Sequence, residues 1–189
     1  MNIDKAETAM REFLEALDIN PRLCGMEKTP IRVAKMYAKL FSGINQNTKD
    51  IWGETFEGGD GLVAVKNIPF YSICEHHLVP FFGEADIVYL PQNGKIAGFS
   101  KFTKLIEILS QRPQLQEKLT GEIADSIYED LNARGVLVVL SAKQLCMTIK
   151  GELAHNAKTI TSALRGEFQT NETFSKDAWR LIGREISRK

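Results

Sequence analysis

Hydrophobic and polar residues alternate along the chain with two different periods. In the N-terminal part the apolar residues return every three or four positions, as Val33, Met36 and Leu40 do, which is the spacing of one helix face. This spacing predicts two helices, with Asp4 as the N-cap of the first and Thr29 as the N-cap of the second.

Compact apolar runs follow and predict strands at 61–70, 84–91, 136–140, 143–149 and 159–166. Helical spacing returns in a segment capped by Ser100, in one that begins near 111–113, and in one over 171–187. Two helices, a sheet segment, two helices and more sheet are typical of an α+β fold. We expect an N-terminal helical arm over 1–60 and one larger domain over 61–189.

Charge and composition restrict the classes of partner. Lys plus Arg and Asp plus Glu both number 24, so no basic excess indicates binding to nucleic acid or to an anionic membrane. The three cysteines lie far apart and do not form a disulfide framework. No apolar stretch is long enough to cross a bilayer. We therefore expect a soluble, cytoplasmic protein without a nucleic-acid or membrane partner.

The densest chemistry lies at residues 72–80, which contain two of the three histidines. Cys74 and His77 are three positions apart, and a thiolate with an imidazole suits Zn²⁺. Cys146, on the predicted strand 143–149, is the best candidate for a third ligand, which would leave a fourth position for water. His76 would then be placed for proton transfer. The alternative is that these cysteines are small buried hydrophobic residues without a metal.

Several charged residues suggest an anion site, although spacing alone leaves the question open. Arg32 and Lys35 share one face of the second predicted helix, and Lys101 and Lys104 fall in the first turn of the helix after Ser100. Helix N-termini attract anions and disfavour cations, so lysines there are explained by a docked anion or by an ordinary solvated face. Gln116 and Glu117 fit helix-start polarity equally well.

Taken together, these motifs resemble the GTP cyclohydrolase I family over nearly the whole chain. The matching segments are 29–37, 74–77, 98–101, 111–117, 146–147 and 157–162. The resemblance implies a tunnelling fold (T-fold), with 61–189 as the catalytic domain and subunit strands closing into a barrel. It also implies a homodecamer of two pentamers with active sites between subunits. Strands such as 136–149 would leave unpaired edges that ring closure removes.

The resemblance also assigns roles to individual residues. Zinc would be held by Cys74, His77 and Cys146, and His76 matches the catalytic histidine. Gln116 and Glu117 would bind the guanine edge. The triphosphate would be surrounded by Arg32, Lys35, Ser100, Lys101, Lys104 and Lys150. The implied reaction is hydrolysis of GTP at C8, which releases formate and forms 7,8-dihydroneopterin triphosphate.

One departure from the family pattern affects the chemistry. Gln144 stands where the family has a second catalytic histidine, and an amide cannot shuttle a proton near pH 7. Lysine also replaces the usual arginine at positions 104 and 150, which loses the bidentate fork. His155 could supply an imidazole or be a surface residue. Two interpretations stay open, namely a cyclohydrolase that is slow or stalls at a formamidopyrimidine, and a paralogue that acts on, or only binds, another purine nucleotide.

Overall fold

The computed structural model describes residues 1–23, 25–149 and 157–183. Its contacts divide the chain into two compact units, Met1–Ser42 and Gly43–Lys189. The first unit contains two helices that contact each other, α1 (Ile3–Ala16) and α2 (Thr29–Leu40). None of the helices in the described part of the chain has the length and apolar character needed to cross a bilayer.

Both N-cap predictions for the first unit were wrong. The side chain of Asn2, not Asp4, accepts the hydrogen bond from the Lys5 N–H of α1, at 2.9 Å, because Asn2 has the extended backbone that a cap requires. Thr29 is the first residue of α2, and Lys28 precedes it without a capping side-chain bond. Asp4 instead contributes an acidic group to the first turn of α1, where the helix dipole favours it.

The second unit is built around a five-stranded sheet. The strands of the second unit, in chain order, are β1 (Thr55–Glu57), β2 (Val63–Cys74), β3 (Pro80–Leu90), β4 (Lys95–Ala97), β5 (Pro113–Gln114), β6 (Gly135–Gln144) and β7 (Thr159–Gly166). Its helices are α3 (Phe99–Ser110), α4 (Gln116–Glu129), α5 (Leu145–Thr148), α6 (Glu167–Thr170) and α7 (Glu172–Leu181). The main sheet has the order β5-β2-β3-β6-β7, with β5 parallel to β2 and the other pairs antiparallel, and β1 pairs with β4. The predicted α+β class is confirmed.

Apolar residues cover both faces of this sheet, because successive side chains of a strand point to opposite faces and runs such as 136–140 are apolar throughout. On one face, residues of β2, β3 and β6 pack with α3 and α4, and Trp52 contacts Phe102 with ring centroids 5.3 Å apart. On the other face, a smaller cluster forms around Val88, Leu137 and Ala178 of α7. Residues 43–60 belong to this unit, because Trp52 is buried in its main core.

The strand predicted over 143–149 is not observed. β6 runs without a break to Gln144, which pairs with Phe81, and a short helix begins at Leu145. The partner strand β3 begins at Pro80, and proline lacks the N–H needed to extend the ladder. The chain therefore leaves the sheet after Gln144, and Cys146 lies on the helical turn α5.

Candidate active site

A tight turn joins the end of β2 to the start of β3. The Cys74 N–H donates to the Val79 oxygen, and the Leu78 N–H donates to the Cys74 oxygen, both at 2.9 Å. Leu78 adopts a left-handed conformation, with φ of 52°, which allows the chain to reverse within so few residues. His76 and His77 lie exposed on this turn, with ring centroids 6.1 Å apart.

The turn and α5 bring the three predicted metal ligands together. One ligand atom each of Cys74, His77 and Cys146 lies within 4.8 Å of the other two. Atoms bound to one tetrahedral zinc at about 2.0–2.3 Å are roughly 3.5–4 Å from one another, so small side-chain movements would complete the site. Cys74 is buried, Cys146 is half-buried and His77 is exposed, which leaves one side of the cluster open to solvent.

A two-stranded parallel contact places α4 beside this cluster. Cys74 pairs with Gln114 of β5, and the Glu75 N–H donates to the Gln114 oxygen at 3.1 Å. Gln114 is 1% exposed, and its amide donates to the Leu109 oxygen and to Glu122. Gln114 falls within the segment 111–117 that resembles the family, but no role was predicted for it.

Gln116 and Glu117 open α4 and differ in exposure. Glu117 is exposed in the first turn, whereas Gln116 is 3% exposed and lies inside a polar network. The Nε2 of Gln144 donates to the Oε1 of Gln116 at 2.7 Å. Thr120 and Thr161, which the sequence analysis also did not select, complete the network through a hydroxyl–hydroxyl contact of 2.6 Å.

The predicted anion-binding residues Ser100 and Lys101 lie at the start of α3, whereas the end of this helix lies near the metal cluster. Gly98, with extended backbone, is the N-cap, so the prediction of Ser100 was wrong, and Ser100 and Lys101 fall in the first turn. The Ser110 oxygen, at the far end of α3, accepts from the Ser72 hydroxyl at 2.8 Å, close to Cys74. Ten helical residues span about 15 Å, so Ser100 and Cys74 are not adjacent.

The other predicted anion ligands fall in three different settings. Lys104 forms an exposed ion pair with Glu107 at 2.9 Å. Arg32 and Lys35 are exposed on α2, in the first compact unit. Lys150 and His155, together with Cys24, lie outside the described residues.

Fold and site together define an α+β protein with a thiol–imidazole cluster at the end of a strand, of the kind that binds a transition metal. The family model for GTP cyclohydrolase I matches residues 6–183. The chain belongs to the GTP cyclohydrolase I family, and it is an enzyme of that type.

Curated relatives match the chain along almost its full length. A GTP cyclohydrolase 1 of Geobacillus sp. (strain WCH70) is 46% identical over 96% of this chain and 97% of its own. That of Carboxydothermus hydrogenoformans is 46% identical over 96% and 95%. That of Streptococcus pyogenes serotype M5 is 45% identical over 98% and 96%.

Proposed function

We propose that the enzyme hydrolyses the imidazole ring of GTP at C8, releases formate and forms 7,8-dihydroneopterin triphosphate, with one zinc ion held by Cys74, His77 and Cys146. The observation that carries this proposal is the approach of these three side chains, from three separate positions in the chain, to within 4.8 Å. Two sulfur ligands and one nitrogen ligand fit zinc, which when bound makes water nucleophilic near neutral pH.

His76 and Glu117 have the exposure that their proposed roles need. His76 lies exposed on the same turn as two of the metal ligands and can move a proton between water and the opening ring. Glu117 is exposed at the start of α4, beside the same turn. Its carboxylate can accept hydrogen bonds from N1–H and the 2-amino group of guanine, a pair of donors that adenine lacks.

We propose that the triphosphate is bound by Arg32, Lys35, Ser100, Lys101, Lys104 and Lys150. The start of α3 supports this role, because its first turn has no side-chain cap and its dipole favours an anion. The Lys101 ammonium group lies beside Gly53, in the loop before β1, where its Nζ is 3.7 Å from the position that a Cβ would occupy. Lysine provides charge without the bidentate geometry of arginine.

We propose a homo-oligomer, most simply the decamer of the family, in which neighbouring subunits pair their sheet edges. β6, where the sequence analysis placed the unpaired edge, is paired on both sides, by β3 and β7. Within the main sheet, as far as the described residues show it, one open edge is β7, and the other is formed mostly by β2, because β5 covers only Ile73 and Cys74 of that strand. Pairing β7 of one subunit with β2 of the next is a head-to-tail contact, which forms a ring when the rotation from one subunit to the next closes.

Apolar side chains next to these edges support the same assembly. Tyr71 of β2 is 66% exposed and stacks on Phe82, with ring centroids 5.7 Å apart. Ile160 of β7 is 59% exposed on the same face of the sheet. Burying such side chains between subunits is favourable.

Glutamine at position 144 favours a slower reaction than the histidine that the family resemblance implies there. Its amide lies at the end of β6, two residues before Cys146, and cannot exchange a proton near neutral pH. We propose that ring opening at C8 still occurs through His76, and that a formamidopyrimidine accumulates because the later steps lack a second imidazole. Mass spectrometry of the products from GTP separates this outcome from full conversion and from no reaction.

A further inference from the structure

The orientation of the Gln116 side-chain amide is fixed by its hydrogen-bond partners, two of which are backbone oxygens. Its Nε2 lies 3.2 Å from the Leu140 oxygen, 3.0 Å from the Thr159 oxygen and 3.1 Å from the Thr161 hydroxyl. Backbone carbonyls can only accept hydrogen bonds, so rotating the amide by 180° would place its oxygen against two other oxygens. The nitrogen of Gln116 must therefore face β6 and β7.

The oxygen of Gln116 then determines how Gln144 is oriented. It lies 2.7 Å from Nε2 of Gln144 and can only accept a hydrogen bond. Gln144 must turn its nitrogen towards Gln116 and its own oxygen away from it. The orientation of the side chain at position 144 is thus set by two strand carbonyls through a single buried amide.

Gln116 has little hydrogen-bonding capacity left for a ligand. Its two N–H hydrogens are shared among three acceptors, its oxygen accepts from Gln144, and the residue is 3% exposed. Glu117, the next residue, is exposed. The two residues that the resemblance assigns to the guanine edge are therefore in different environments.

We propose that Gln116 is a positioning residue for the side chain at position 144 and does not bind the guanine. This inference rests on the proposed function, since it concerns the same reaction. It also restricts position 144, because only a side chain that offers a hydrogen-bond donor towards Gln116 keeps the 2.7 Å contact. Glutamine and histidine satisfy this requirement, and an ionised glutamate does not.

A double-mutant cycle tests the inference, with Gln116→Met, Gln144→Met and both changes together, each assayed for kcat and KM with GTP. Methionine keeps the length of glutamine and removes its hydrogen bonds. We expect Gln116→Met to lower kcat by about three- to tenfold when Gln144 is present, because the Gln144 amide is then no longer oriented to hydrogen-bond to the purine, and by less than twofold when residue 144 is methionine. KM should change by less than twofold in both backgrounds.

Thr120→Val is the matched control within the same network. The Thr120 hydroxyl contacts the backbone oxygen of Gln116 and the Thr161 hydroxyl, both at 2.6 Å, and does not touch Gln144. It should lower the thermal midpoint without showing coupling to Gln144→Met. If Gln116→Met instead raises KM by the same factor in both backgrounds, Gln116 binds the substrate directly and the inference is wrong.

Thermal unfolding of the same variants gives a readout that needs no activity. The losses in midpoint from Gln116→Met and Gln144→Met should be less than additive, because either change alone breaks the shared hydrogen bond. Additive losses would overturn the inference even in an active enzyme. An inactive wild type with non-additive losses would instead count against the proposed function and leave the Gln116–Gln144 contact intact.

Discussion

Replacing Gln144 by histidine should raise the turnover of GTP. Gln144 is the last residue of β6, paired with Phe81, and lies two residues before Cys146. An imidazole N–H can replace the amide N–H that now donates to Gln116 at 2.7 Å, which leaves the second ring nitrogen available for proton transfer. The variant therefore adds a titrating group while it keeps the contact that orients the side chain.

Two opposing effects decide the size of the expected change. A positioned proton-transfer group contributes about 10²–10⁴-fold in rate. If the imidazole reproduces the hydrogen bond to Gln116 poorly, the loss is about 0.5–1.5 kcal/mol, or at most roughly tenfold. The net increase in kcat should therefore be about tenfold or more. Less formamidopyrimidine should accumulate at the same time.

The assay is mass spectrometry of timed reactions with GTP, together with steady-state kinetics. Gln144→Asn is the control, since it keeps an amide and adds no titrating group, and it should not gain activity. His76→Ala should abolish the remaining turnover. The reasoning is refuted if the wild type already converts GTP fully to 7,8-dihydroneopterin triphosphate at a rate that Gln144→His does not improve. His155 would then be the first residue to test as the proton donor.

Further expected outcomes concern the metal, the assembly, the phosphates and alkaline stability. Metal analysis should find one zinc per chain, lost in Cys146→Ala and kept in Cys24→Ser; stoichiometric zinc in Cys146→Ala would remove that ligand. Light scattering should find a decamer, and a stable, active monomer would contradict the edge-pairing proposal. The affinity for GTP should exceed that for guanosine and should fall with added salt. Lys101→Ala should weaken GTP binding, whereas the control Lys176→Ala, on α7, should not. Equal affinity for GTP and guanosine would mean that the basic residues form only a solvated face. Burial raises the pKa of Tyr89, so its contribution to stability is complete below about pH 10 and is lost as the pH rises through the folded-state pKa. Tyr89→Phe should flatten that part of the stability curve in denaturant titrations, and an unchanged curve would count against the burial effect.

Local patterns predicted the features that local physics determines. The Asn93-Gly94 pair, with φ of 52° and 67°, forms the turn between β3 and β4, and Asn-Gly is the sequence that such left-handed turns favour. The helical and strand periods gave the α+β class. The prediction of Ser100 as N-cap was wrong, because Gly98, two residues earlier, already has the extended backbone of an N-cap.

Long-range pairing decided what local patterns could not. Residues 143–149 resemble a strand, yet the ladder between β3 and β6 ends next to Pro80, the first residue of β3, and this places Cys146 on a helical turn. The spacing of Cys74 and His77 indicated a metal, but the position of the third ligand depends on that turn. The contact between Gln116 and Gln144 joins residues 28 positions apart, and no sequence period encodes it.

The most direct test of the central claim follows the C8 carbon of GTP itself. Zinc-loaded wild-type enzyme is mixed with GTP carrying ¹³C at C8, and the label is observed by NMR over time. The account predicts that the label leaves the purine, passes through a formamide signal that persists because of Gln144, and appears as formate. A label that stays at C8 of intact GTP would contradict the assignment of this chain as a working GTP cyclohydrolase.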